Sequence, residues 1–118
     1  MGSTTFSGPV TSTNGFVGDV TGQTFGTVGT YLADGAIAIT DKMAILDGTS
    51  ASVAATLAAG TAGQVIRIKA IDVTNAVTVV PASFNDGTTI TFTPANEYAE
   101  LTSDGTSWYL TGGNAAVT

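Results

Sequence analysis

The chain has no histidine and no cysteine, and only three basic residues, Lys42, Arg67 and Lys69, among its 118. Without histidine it lacks the side chain that most often moves protons near neutral pH. Without cysteine it has no thiolate nucleophile, no thiolate metal ligand and no disulfide, and its redox compartment is not encoded. The remaining reactive side chains are scattered carboxylates and hydroxyls. The pattern predicts a chain that binds and holds, with no enzyme activity, no cofactor and no metal.

Charge is scarce as well. Charged residues make up 10% of the chain, against about 25% in an average soluble domain. The formal charge is −6 and the isoelectric point is near 4.1. That balance argues against binding nucleic acid or an anionic membrane, both of which select basic patches. No apolar run approaches the roughly 18 residues of a membrane-spanning helix. The opening MGSTTFSG has neither the basic nor the apolar region of a secretory leader, and Phe6 stands where a myristoylation signal needs Ser or Thr. The expectation is a soluble protein without a conventional leader.

Glycine, threonine and small apolar residues fill the space. The length predicts one domain with an arm, divided as residues 1–30 and 31–118. In the first part Gly15, Gly18, Gly22, Gly26 and Gly29 recur every three or four residues, with single apolar residues between them. The segment is too glycine-rich for a helix and too apolar for a solvating tail. It reads either as a flexible linker or as an extended arm that docks Phe6, Phe16 and Phe25 into neighbouring subunits.

From residue 35 the apolar period becomes two. Strands are predicted at 36–40, 42–46, 64–71, 76–80, 88–93, 97–102 and 107–112. The clearest is QVIRIKAI, where Ile66, Ile68 and Ala70 face one way and Arg67 and Lys69 the other. The alanine-rich stretch 50–63 fits a short helix or a strand and loop. Turns fall at Asn85-Asp86-Gly87 and at Ser103-Asp104-Gly105-Thr106. Six to eight short strands spaced this way indicate an all-β fold, a small antiparallel sandwich or barrel with an extended N-terminal arm.

No chemical motif survives inspection. Four Asp-Gly pairs, at Asp34, Asp47, Asp86 and Asp104, lack the spacing of a calcium loop, and turn chemistry with positive φ at glycine accounts for them. Glu97 and Glu100 fall on opposite faces of one strand, which disfavours a glycosidase pair. Trp108 and Tyr109 must also point oppositely. Trp108 is expected in the core beside Leu101 and Leu110, which leaves little for a sugar-binding platform.

The arm TTFSGPVTSTNGFVGDVTG resembles N-terminal segments of tailed-bacteriophage structural proteins. The stretch AGQVIRIKAIDVTNAVTVVPASFNDGTTITFTPANEYAELTSDGTSWYLTGG is similar to small β-domains of phage virion proteins, down to the DGT-x-W hairpin at Asp104-Gly105-Thr106-Ser107-Trp108. The chain is too short for a fibre shaft, so the resemblance is most like a head decoration, or cement, protein. It implies a homotrimer on the outer capsid surface of the virion, with the major capsid protein as partner. Phe6, Phe16, Phe25 and Tyr31 are the expected interface anchors. The alternative is a short tail-fibre or tail-associated protein that binds a receptor or adaptor.

Overall fold

A computed structural model describes residues 26–118. These residues form ten strands, all β: β1 Thr27–Tyr31, β2 Gly35–Ile37, β3 Asp41–Asp47, β4 Val53–Leu57, β5 Val65–Asp72, β6 Val77–Pro81, β7 Ile90–Thr91, β8 Tyr98–Ser103, β9 Trp108–Gly113 and β10 Ala116–Val117. They divide into two five-stranded sheets. Sheet A runs β1-β3-β5-β8-β9 and sheet B runs β10-β7-β6-β4-β2.

The first six strands alternate between the sheets, and each lies parallel to the strand two before it. This part of the chain is a coil: it crosses sheet A, turns into sheet B, and returns one strand further along. The last four strands pair antiparallel and finish both sheets. The expected sandwich is therefore present but mixed, with ten strands rather than six to eight. Thr27–Thr30, read from the sequence as the end of the arm, lie in β1 and pair with β3.

Strict alternation explains why one core suffices. In β5 Ile66, Ile68 and Ala70 are buried, and β3 contributes Ala44 and Leu46 from beside them. Sheet B answers with Val53, Ala55 and Leu57 of β4 and Val77 and Val79 of β6. The ambiguous stretch 50–63 resolves as strand β4. Apolar Val53, Ala55 and Leu57 sit two apart, and burying that face between neighbours overrides alanine's helical preference. Ile90, Phe92, Leu101 and Trp108 complete the core; Trp108 and Leu101 lie there as the sequence predicts, while Leu110 is only partly buried. No buried side-chain nitrogen or oxygen lacks a hydrogen-bond partner among the described residues.

The coil's corners repeat. Asp47 accepts hydrogen bonds from the backbone N–H and hydroxyl of Thr49, and Asp72 accepts from the N–H of Thr74 on the next rung. The two corners are stitched together: the Gly48 N–H donates to the Asp72 carbonyl, and the Asn75 N–H and side-chain amide both donate to the Gly48 carbonyl. The repeated Asp-x-Thr is thus an internal motif of the coil, with the Asp side chain standing in for a backbone acceptor.

Candidate interaction surface

The sandwich presents two outer faces, and they differ. On sheet A, strand register places Val28, Met43, Arg67 and Glu100 in one row and Thr30, Ile45, Lys69 and Tyr98 in the next. Ile71 follows on the same side of β5. On sheet B the rows are Ala36–Thr56–Val80 and Ala54–Thr78–Thr91, small and without charge. The ion pair on sheet A joins Arg67 Nε to Glu100 Oε2 at 3.0 Å across β5 and β8. Its exposure limits it to a fraction of a kcal/mol.

The chain has nine acidic residues, and the eight within 26–118 all accept hydrogen bonds inside the fold. Asp34 holds the Ala54 N–H, Asp86 that of Leu110, and Glu97 that of Thr93. Asp104 accepts from the N–H groups of Thr106 and Ser107 and from the Tyr109 hydroxyl. Those donors, Ser107 first, hold the Asp104 carboxyl below the usual carboxylate range, and the Thr74 N–H does the same for Asp72. No cluster of three potential metal-ligating residues occurs among the described residues.

The Asp-Gly pairs need a correction in this light. Positive φ occurs at Gly105, at +95°, and at Gly35, at +157°, but not at Gly48 or Gly87. At those two positions the glycine is required by space, since a Cβ would stand 2.6 Å from the Asn75 carbonyl oxygen or 2.7 Å from that of Thr118. The aspartates act chiefly through their carboxylates.

One polar group is mostly buried at the start of β3. Asp41 accepts from the Tyr31 hydroxyl at 2.5 Å and from the Thr27 hydroxyl at 2.8 Å, while the Ala38 N–H donates to the Tyr31 oxygen at 2.7 Å. The cluster fastens β1 to β3 and to the loop after β2. Beside it lies a cavity of about 380 Å³ between Ile39–Lys42 and the loop carrying Thr61 and Gln64. Gln64 already spans that gap, donating to the Ile39 carbonyl and accepting from the Thr61 N–H. The polar atoms around the cavity are thus largely spent on the fold itself.

Of the sequence-predicted anchors, Phe6, Phe16 and Phe25 lie outside the described residues. Tyr31 closes β1, half-buried against the core, with its hydroxyl engaged as above. Burial, and then the hydrogen bond to Asp41, raise its phenol above the ordinary value near 10. A raised value means the folded protein holds that proton more tightly than the unfolded chain. The contribution is therefore complete below about pH 10 and lost as pH rises through the folded-state value. Tyr31→Phe leaves Asp41 short of a donor and should destabilise the fold by about 1.5–3 kcal/mol at neutral pH. Urea melts at a series of pH values check this, because the variant should also lose this part of the alkaline decline.

Sequence reasoning put Arg67 and Lys69 on one face of β5 but missed the apolar side chains of neighbouring strands that meet them there. The clue was the shared period of KMAIL and VIRIKAI, which puts Met43 and Ile45 level with Arg67 and Lys69 once the strands pair. Compared with known proteins, the chain matches no family model and no curated protein.

Proposed function

We propose that the protein is a capsid decoration protein of a tailed bacteriophage, a homotrimer that binds the outer face of the head and clamps neighbouring major capsid subunits. The observation that supports a binding role is how the charge is used: all eight described carboxylates serve the fold's own hydrogen bonds, and the two outer rows of sheet B hold no charged side chain. Depletion of charge characterises the buried centres of protein interfaces. The likeness of the arm and the DGT-x-W hairpin to phage virion proteins supports a place in the virion, and the head is the part this reading chooses.

Clamping needs no chemistry. A particle under internal pressure fails at joints between subunits, and a protein that spans a joint adds buried area there. About 800 Å² per partner supports specific association, and three linked contacts reinforce one another through effective concentration. Phe6, Phe16 and Phe25, in the segment ahead of β1, supply further anchoring. Purified protein added to heads that lack it should bind and raise the temperature at which the shells come apart. A chain starting at Gly26 should bind more weakly. Shells that gain no bound protein and no heat resistance would contradict this function.

A further inference from the structure

The two outer faces differ in exposed apolar area and in charge, the properties that decide docking. Among the described residues, five large apolar side chains are markedly exposed: Val28 (59%), Leu32 (58%), Tyr98 (45%), Ile71 (44%) and Val80 (41%). Three of them lie on the outer face of sheet A, and Leu32 directly follows its edge strand. Met43 and Ile45, half-buried between these positions, join them into a patch. The chain's whole complement of cations gathers on the same strands: Lys42 is the second residue of β3, and Arg67 and Lys69 project from β5. Lys42 and Arg67 also line one cavity of about 330 Å³ with Val65. The acids on this face are Glu100, held by Arg67 and Thr111, and, at its end, Asp47 and its register partner Asp72, held by Thr49 and Thr74.

We infer that the outer face of sheet A is the docking surface of the protein, and that its occupant is an acidic, partly apolar protein surface. The identity of that partner as the capsid shell rests on the function proposed above. The argument is charge complementarity. A chain of net charge −6 repels acidic partners over most of its surface. On this face alone, cationic groups surround exposed apolar side chains, so an acidic partner is drawn in and oriented while the apolar patch provides the area to bury. The outer face of sheet B on a second copy is a poorer match, because its two rows hold no charged side chain to answer Lys42, Arg67 and Lys69.

The test is binding of the full-length protein to purified heads that lack it, read by co-sedimentation. Lys69→Glu combined with Ile71→Glu should weaken binding at least about tenfold, whereas Thr56→Lys with Thr78→Lys on sheet B should leave it within about twofold. Independently of any variant, wild-type binding should weaken as salt is raised from about 50 to about 300 mM, since the cations are exposed and screened. Equal binding by the sheet A variant, or salt-independent binding by the wild type, overturns the inference. So does a sheet A variant whose only change is a smaller oligomer in solution, which would make this face a contact between copies. Failure of the wild type to bind heads at all overturns the proposed function, and this partner with it.

Discussion

Trp108→Ala should remove about 3–5 kcal/mol of stability, a large share of what a domain of this size possesses. Trp108 is the only tryptophan, is fully buried, and reaches across the sandwich so that its indole N–H donates to the Ala58 carbonyl at 2.9 Å. Its ring also fixes the loop after β4: a Cβ at Gly60 would stand 2.6 Å from it. Removing the indole opens a cavity bordered by both sheets and strands a carbonyl. Trp108→Phe fills part of the space without the N–H and should fall between. Urea denaturation followed by far-ultraviolet circular dichroism measures both, and a loss below about 1 kcal/mol for the alanine variant would show that the core does not depend on this residue.

Gly113→Ala should cost about 3 kcal/mol or more, although it adds one methyl group near the end of the chain. Gly113 has φ of +113°, and a Cβ there would lie 2.2 Å from the Tyr98 carbonyl oxygen and 2.8 Å from Cα of Ala99. Both are backbone atoms of β8, so relief requires the strand itself to move. The adjacent Gly112 is the control, since its Cβ would meet Glu100 at an ordinary 3.6 Å. Gly112→Ala should be nearly silent. Equal effects at the two positions would contradict the close approach of β8 and β9 seen at this bulge.

The contrast between β5 and β1 shows what the sequence could carry. VIRIKAID alternates without interruption, so its buried and outward faces were legible residue by residue. In β1, TVGTY, the inward positions are Gly29 and Tyr31, so that face holds a single aromatic and no run of alternation for a periodicity reading to find. β10 spans two residues and offers too little pattern. The parallel pairing of β1 to β6 was hidden for another reason: alternation marks which side of a strand is buried, not which way its neighbour runs. The repeated Asp-x-Thr at 47–49 and 72–74 was the available sign of a coil, and it hid among Asp-Gly pairs that looked like ordinary turns.

The docking face follows the same logic. Arg67 and Lys69 were plainly on one side of a strand, and two cations alone were too few for a phosphate track. Their significance depends on Val28, Met43, Ile45 and Tyr98, which come from three other strands and meet them through sheet register. Tyr31 illustrates the converse. An aromatic at the end of a glycine-rich segment reads as an anchor for a partner, whereas its hydroxyl is tied to Asp41 on the neighbouring strand of its own chain.

The most direct test of the central claim is imaging of phage particles with and without this protein, at a resolution that permits counting copies on the head. The account predicts trimeric density at three-fold positions of the shell, bridging adjacent coat subunits, with the outer face of sheet A against them. Density confined to the tail, or no density on the particle, would contradict it.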